Sequence, residues 1–333
     1  MKILIVDDSA LMRSILRQRL EEVPEFTITD ETSNGRKAVE LNRTLEPDLI
    51  IMDIDMPVLN GIEATKKIMQ ERPVPILIFS HSIDAEMSFR ALSAGATEVM
   101  QKPELDRFNE NTYFTEFCNK ISTIGTCNMN AERIISKEKT RQKFAGIVIG
   151  ASTGGPVAVR SILKGLPADF PLGIAVVQHI DDNFDKSYAK WLDSEVALSV
   201  RLAKDGEYLT PGVVQIAPAG KHMVFRNKQL RLEDGEKILN QRPSVDALFK
   251  TASESFSDRL LAILLTGMGR DGAEGCVDVR KRGGYTICQD ESTSAIFGMP
   301  KVAIELEAAS AIMPLDKILE FLLKYAENNK HTA

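Results

Sequence analysis

The sequence predicts an α/β protein of two domains, each built on a doubly wound parallel sheet. At 333 residues the chain exceeds the usual size of a single hydrophobic core. Short runs of Val, Ile and Leu alternate with segments of helical periodicity, and this alternation is typical of parallel strands joined by helices. The alternation is lost only in residues 125–143, which are polar and charged. We therefore predict domains at residues 1–124 and 144–333, joined by a linker at 125–143.

The composition narrows the functional classes. Hydrophobic residues make up 44% of the chain and the net charge is −6, which disfavours nonspecific binding to nucleic acid. Cysteines 118, 127, 276 and 288 lack the spacing of a metal site and fit free thiols in a reducing compartment. The longest apolar run, Leu260–Leu265, is too short to cross a bilayer. We expect a cytoplasmic protein with no membrane insertion and no nucleic-acid partner.

Five strands and five helices are predicted in the first domain. Each strand is a short apolar run that stops at a polar residue or a turn signal. The predicted strands are Lys2–Val6, Phe26–Glu31, Asp48–Met52, Pro75–Phe79 and Glu98–Met100. The first predicted helix begins after the N-cap residue Ser9. The other four cover Gly35–Leu45, residues 60–70, Asp84–Ala94 and Asn109–Ile124.

The second domain repeats this alternation and adds a small hairpin. The predicted strands are Ile147–Ile149, Leu172–Val177, Val213–Ala217, Leu260–Leu265, Tyr285–Gln289 and Ser310–Met313. The predicted hairpin pairs Met223–Arg226 with Leu230–Leu232. The predicted helices are Pro156–Leu163, Asn183–Glu195, 242–256, 273–282, one beginning at Gly298, and Leu315–Ala326.

Polar side chains follow the predicted strands of the first domain. They are Asp7, Asp8, Asp53, Ser80 and Lys102. Ligands of doubly wound sheets bind beyond the carboxyl ends of the strands, so these side chains are expected to share one site. Clustered carboxylates attract a cation, and oxygen ligands suit Mg²⁺. The alternative is that Asp8 caps a helix and Asp53 only solvates a loop.

Residues 1–124 resemble the receiver domain of two-component response regulators, which has a flavodoxin-like fold. The matching motifs are Val6–Ser9, Met52–Pro57, Asn60-Gly61, Ser80, Gly95-Ala96 and Lys102-Pro103. The resemblance implies that Asp53 accepts a phosphoryl group from a sensor histidine kinase of the chemotaxis type.

The same resemblance implies the other parts of a receiver site. A Mg²⁺ ion would be bound by Asp7, Asp8, Asp53 and the backbone carbonyl of Asp55. Lys102 would bind the phosphoryl oxygens, Ser80 would act as the switch residue, and the peptide bond before Pro103 would be cis. The sequence departs from the family at Val99, where an aromatic residue is common, and at His81, where a small residue is usual. Both departures concern the switch rather than phosphorylation.

The second domain opens with a G-x-S-x-G pattern centred on Ser152, between an apolar strand and a helix. Such a strand–turn–helix can present a nucleophilic serine with the N–H of the next residue, Thr153, as an oxyanion donor. A plain loop and a phosphate-binding turn are the alternatives. The base would be His179, which follows a buried strand, or His222. Spacing alone does not choose between the two candidate acids, Asp271 and Asp290.

The order Ser…His…Asp differs from that of the α/β-hydrolases. A dinucleotide site is also disfavoured, because Ser152 stands where the fingerprint needs a glycine.

Residues 144–326 resemble the catalytic domain of the chemotaxis protein-glutamate methylesterase family, CheB, on a Rossmann-like sheet. The matching motifs are Gly150–Gly155, Gln178-His179, Ala217–Met223, Arg242–Asp246, Leu265–Gly272, Gln289–Glu291 and Phe297–Pro300. Ile180 departs from the methionine that is usual in the family and is a packing change. The resemblance implies Ser152 as nucleophile, His179 as base and Asp271 as the orienting acid, without a cofactor in this domain.

The resemblance also predicts the activity, substrates and regulation of this chain. It implies hydrolysis of glutamate methyl esters and deamidation of glutamines on the cytoplasmic helices of methyl-accepting chemoreceptors. A second oxyanion donor would lie near Met268, and His222, Arg242 and Arg270 are candidate substrate contacts. The receiver would inhibit the enzyme until Asp53 is phosphorylated. The alternative is a catalytically silent regulator that only binds a receptor; a DNA-binding output is disfavoured, since the second domain is long, strand-rich and not basic.

Overall fold

The structure, a computed structural model, describes residues 1–81, 83–104, 108, 110–125, 142–180 and 184–330. It divides into two compact units, Met1–Cys127 and Asn128–Ala333. Most of the predicted linker, residues 126–141, lies outside the described residues. In the part of the chain that is described, no helix is both long enough and apolar enough to span a membrane.

The first unit contains a sheet of five parallel strands in the order β2-β1-β3-β4-β5. The strands are β1 Lys2–Val6, β2 Thr27–Thr32, β3 Leu49–Met52, β4 Ile76–Ser80 and β5 Glu98–Gln101. The helices are α1 Ala10–Glu21, α2 Gly35–Leu45, α3 Gly61–Glu71, α4 Ala85–Ser93 and α5 Asn111–Gly125.

Burial and capping explain these elements. The central strands β3 and β4 are buried at every residue, as expected for a parallel sheet covered on both faces. Four of the helices begin at a side chain that accepts a backbone N–H bond from the first turn. These N-caps are Ser9, Asn34, Asn60 and Asp84.

Helix α3 begins in close contact with the loop that follows Asp53. A Cβ atom on Gly61 would lie 1.9 Å from the Asp53 carbonyl oxygen, so no side chain fits there without displacing this loop. Gly61→Ala should therefore destabilise the first unit by about 1–3 kcal/mol, the usual cost of overpacking. Calorimetry of the full chain should show a lower melting temperature for that unit, on the order of 5 °C or more.

Two controls accompany this substitution. Glu63→Ala lies in the same helical turn but is exposed, and it should change stability by no more than about 0.5 kcal/mol. The chain has a single tryptophan, Trp191, which reports the second unit by fluorescence and should keep its midpoint. Equal midpoints for Gly61→Ala and Glu63→Ala would contradict the close approach.

The second unit contains seven parallel strands in the order β14-β13-β12-β6-β7-β9-β8, and a separate antiparallel hairpin. The sheet strands are β6 Gly146–Ala151, β7 Ile174–Gln178, β8 Ser199–Leu202, β9 Val213–Ile216, β12 Leu260–Leu264, β13 Tyr285–Gln289 and β14 Ala311–Met313. The hairpin is β10 His222–Arg226 with β11 Gln229–Glu233. The helices are α6 Gly155–Leu163, α7 Asp185–Glu195, α8 Val245–Phe256, α9 Ala273–Lys281, α10 Met299–Glu305 and α11 Leu315–Lys330, and a 3₁₀ turn covers Ser257–Arg259.

The predicted fold class of two doubly wound parallel sheets is confirmed. The chain starts the second sheet at β6, builds outward through β7 to β9 and β8, and then returns to β12 on the other side of β6. The carboxyl end of β6 is therefore the point where the direction of winding changes, and ligands of such sheets bind there. Ser152 is the first residue beyond β6.

Candidate active site and phosphorylation site

Ser152 and His179 lie side by side at the ends of neighbouring strands. In the register of β6 and β7, Ala151 pairs with Gln178, so the next residue of each strand is a catalytic candidate. The backbone N–H of His179 donates to the Ala151 carbonyl at 3.0 Å, and that of Ser152 donates to the Thr266 carbonyl, also at 3.0 Å. The ladder thus positions Ser152 between His179 on one side and the loop after β12 on the other.

His179 contacts Asp271 through one ring nitrogen. Its Nε2 lies 2.8 Å from Asp271 Oδ2, and both side chains are buried. Its Nδ1 is buried and has no hydrogen-bond partner among the described residues. A neutral ring with its proton on Nε2 donates to the carboxylate and leaves Nδ1 as the acceptor. Nδ1 is therefore the nitrogen available to a serine hydroxyl, and such contacts often tighten only with substrate bound.

Asp271 is held as a carboxylate by the N-terminus of α8. It accepts hydrogen bonds from the Ser244 hydroxyl at 2.8 Å, the Val245 N–H at 2.7 Å and the Asp246 N–H at 2.9 Å. Burial opposes its ionisation, but the bonds from His179 and from these backbone groups outweigh burial and lower the pKa of Asp271. Asp271 therefore stays ionised and can orient the imidazole.

Asp246, in the first turn of α8, caps the next helix, α9. Its Oδ1 accepts the N–H groups of Gly272 at 2.9 Å and Gly275 at 2.7 Å, at the start of α9. Burial, with the nearby charge of Asp271 as a lesser cause, raises the pKa of Asp246 to about 6. Asp271 thus caps α8, which contains Asp246, and Asp246 caps α9, which follows Asp271 in the chain. This reciprocal capping fixes the position of Asp271. Sequence reasoning missed this role, although Ser244-Val245-Asp246 has the composition of a helix start.

Asp290, the other candidate acid, is used within its own loop. It is buried and accepts bonds from the Ser292 hydroxyl at 2.5 Å and from the Thr293 hydroxyl at 2.6 Å. These contacts close the turn after β13. The structure brings Asp271 rather than Asp290 to His179.

The three candidate substrate contacts have partners within the chain. His222 is buried, its Nε2 lies 2.9 Å from the Glu236 carbonyl oxygen, and its Nδ1 accepts the Ser244 N–H at 3.2 Å. Both ring nitrogens are thus occupied, which suits a residue that supports the start of α8 better than one that meets substrate. Arg242 donates to the Gly235 carbonyl, and exposed Arg270 pairs with Glu274 at 2.9 Å.

Two backbone N–H groups near Ser152 are suited to an oxyanion. Those of Thr153 and Met268 donate to no acceptor among the described residues. The Met268 loop approaches closely, because a Cβ atom on its neighbour Gly267 would lie 2.7 Å from Ser152 Cβ. These two groups were the sequence-based candidates for the oxyanion hole.

In the first unit, Lys102 joins two of the acidic candidates. Its Nζ lies 2.7 Å from Asp7 Oδ2 and 2.5 Å from Asp53 Oδ2, and all three side chains are buried. Burial raises the pKa of Asp7, although the hydrogen bond from Lys102 opposes the shift. Carboxylate oxygens of Asp7, Asp8 and Asp53 lie within 4.8 Å of one another. This cluster of oxygen donors fits Mg²⁺.

The remaining receiver candidates differ in burial. Ser80 is buried, and its carbonyl accepts the Lys102 N–H at 2.9 Å. Asp55 and His81 are exposed, and Val99 is half-buried. The expected cis peptide bond before Pro103 is wrong: among the described residues only Arg242-Pro243 is cis. Trans is the preferred isomer by about 0.5–1 kcal/mol, and Lys102 reaches both carboxylates from it.

Comparison with known proteins finds a matching family for each of the two units. The family model for the CheB methylesterase matches residues 147–322, and the model for the response regulator receiver domain matches residues 3–111. A relative from Anaeromyxobacter dehalogenans, named protein-glutamate methylesterase/protein-glutamine glutaminase 2, is 39% identical, with 95% of this chain and 94% of the relative covered. A protein from Pyrococcus horikoshii named protein-glutamate methylesterase/protein-glutamine glutaminase is 35% identical, with 98% and 94% covered.

A solved structure agrees with these relatives. The crystal structure of the Thermotoga maritima CheB methylesterase catalytic domain matches with a TM-score of 0.53 and 41% identity, covering 55% of this chain and 98% of that one. The resemblance drawn from the motifs is confirmed. The chain belongs to the CheB family of protein-glutamate methylesterases and has a response-regulator receiver domain ahead of the methylesterase domain.

Proposed function

We propose that this protein is a phosphorylation-regulated serine hydrolase that demethylates glutamate methyl esters, and deamidates glutamines, on chemoreceptors. The observation that supports it best is the contact of His179 Nε2 with Asp271, 2.8 Å, beside Ser152 at the end of β6. The names of the relatives supply the substrate class.

Acyl transfer would proceed in two steps. His179 Nδ1 takes the proton of the Ser152 hydroxyl as Oγ bonds to the ester carbonyl carbon, and the oxyanion is stabilised by the N–H groups of Thr153 and Met268. The tetrahedral intermediate collapses, the C–O bond to the methoxy group breaks, and methanol leaves with the proton from Nδ1. Water then attacks the acyl-enzyme with the same base and releases Ser152 and the glutamate carboxylate. For a glutamine substrate, ammonia leaves in place of methanol.

The receiver would regulate this reaction through Asp53. Asp7, Asp8, Asp53 and the Asp55 carbonyl would hold Mg²⁺, whose positive charge would neutralise charge on the phosphoryl group. Lys102 would move from its ion pair with Asp53 to the phosphoryl oxygens, and Ser80 would follow. The unphosphorylated receiver would limit access to Ser152, so that phosphorylation shifts a population between closed and open states.

The remaining assignments also belong to this proposal. The domains would span residues 1–124 and 144–333, with the linker at 125–143 and no cofactor in the second domain. A chemotaxis-type sensor kinase would be the phosphodonor, and the enzyme would act in the cytoplasm.

Phosphorylation should activate methanol release from methylated receptor. Acetyl phosphate with MgCl₂ should raise the rate of the full chain by about 5–150-fold, the usual range of coupling between sites. Asp53→Asn should give the same rate with and without acetyl phosphate, because the acceptor carboxylate is lost. Asp55→Asn is the matched control, since its proposed contribution is a backbone carbonyl, and it should still be activated. Activation of Asp53→Asn would contradict the assignment.

A further inference from the structure

The side-chain amide of Gln178 bonds to the backbones of both the nucleophile and the base. Gln178 is the last residue of β7 and only 2% exposed. Its Nε2 donates one hydrogen bond to the Ser152 carbonyl at 2.8 Å and another to the His179 carbonyl at 2.9 Å. Both protons of the amide are therefore used on catalytic residues.

The bond to Ser152 also fixes the neighbouring amide. The Ser152 carbonyl accepts a second bond, from the Gly155 N–H at 2.7 Å, so its direction is determined by two donors. Because a trans peptide unit is planar, the Ser152 carbonyl and the Thr153 N–H point in opposite directions. Holding the carbonyl toward Gln178 therefore aims the Thr153 N–H away from it.

The acceptor end of the same amide, Gln178 Oε1, is buried and has no hydrogen-bond partner among the described residues. An unsatisfied buried acceptor typically costs about 1–3 kcal/mol, which an apolar side chain would avoid. Gly155 leaves room for this oxygen, since a Cβ atom there would lie 2.1 Å from it. The structure thus tolerates an unpaired acceptor where the donors of the same amide are needed.

We propose that Gln178 is a positioning residue that presets the oxyanion hole, by fixing the Ser152–Thr153 peptide, and holds the base beside the nucleophile. This inference rests on the proposed ester hydrolysis. Gln178 touches neither the substrate nor the reacting atoms.

Gln178→Met tests this role, because methionine has a similar length and lacks both donors. Gln215→Met is the matched control: Gln215 is fully buried in the adjacent strand β9, its amide donates to Glu207 at 2.9 Å, and its Oε1 is also unpartnered. Gln178→Met should lower kcat for methanol release by about 10²–10³-fold, as loss of an oxyanion donor does, with KM unchanged. Gln215→Met should keep kcat near wild type at a comparable loss of thermal stability.

A second readout does not depend on turnover. In full-length protein labelled with ¹⁵N-threonine, the Thr153 amide resonance should shift in Gln178→Met and not in Gln215→Met. A wild-type kcat in Gln178→Met, equal losses in both variants, or an unmoved Thr153 resonance would overturn the positioning role. Absence of methanol release from wild-type protein would instead overturn the proposed function, and the Thr153 resonance would still decide whether Gln178 orients this peptide.

Discussion

Ser152→Ala should lower kcat for methanol release by about a million-fold, the usual cost of losing the nucleophile of a serine triad. The substitution removes the only atom that would form the acyl-enzyme, while His179 and Asp271 keep their contact at 2.8 Å. The residual rate should be that of water attack assisted by the oxyanion donors and by binding. Full-length protein and methylated receptor, assayed under activating conditions, give the measurement.

Ser161→Ala is a matched control for this loss. Ser161 is exposed on α6, the helix that follows the nucleophile, and among the described residues its hydroxyl bonds only to the Val157 carbonyl. It should keep the wild-type rate. A fluorophosphonate probe should label wild type and Ser161→Ala but not Ser152→Ala. Methanol release by Ser152→Ala at a near-normal rate would refute the nucleophile, whereas an unlabelled and inactive wild type would favour the silent receptor-binding alternative.

The strands that the sequence predicted best are those whose side chains are buried throughout. Strands such as Leu260–Leu264 are buried at every residue, so they read as continuous apolar runs. Strand β8, Ser199–Leu202, was missed, because it lies at the edge of the sheet and is only partly buried. Its sequence, SVRL, therefore lacks the apolar run of a central strand.

Reasoning from strand ends alone predicted only part of the site, and Asp271 was selected over Asp290 by the resemblance to the CheB family. Ser152 and His179 follow paired strands, and this relation is visible once a parallel sheet is inferred. The choice of Asp271 over Asp290 depends on hydrogen bonds between residues 92 positions apart, which no local pattern encodes. The same holds for Gln178, whose two bonds reach backbone carbonyls rather than side chains of a motif. The sequence indicates that Gln178 is a polar residue at the end of a buried strand, but it does not indicate which groups its side chain bonds to.

Asp271→Asn should lower kcat by about 10⁴-fold, the scale seen when the acid of a serine triad loses its charge. Asp271 Oδ2 accepts from both His179 and the Val245 N–H, and Oδ1 accepts from Ser244 and the Asp246 N–H. An asparagine amide must present its NH₂ group to one of these sets of donors. Toward His179 it would donate to Nε2 and move the ring proton to Nδ1, where the base could no longer accept from Ser152.

Asp290→Asn separates this catalytic effect from the general cost of altering a buried carboxylate. Asp290 is as buried as Asp271, follows the adjacent strand β13, and accepts bonds from a backbone N–H and two hydroxyls. Both substitutions should lower thermal stability, by about 1–3 kcal/mol each, because donors lose an acceptor. Only Asp271→Asn should lose the 10⁴-fold in kcat, because only Asp271 contacts the base. A larger loss of kcat in Asp290→Asn would reverse the assignment of the acid, since stability alone would then no longer account for its effect.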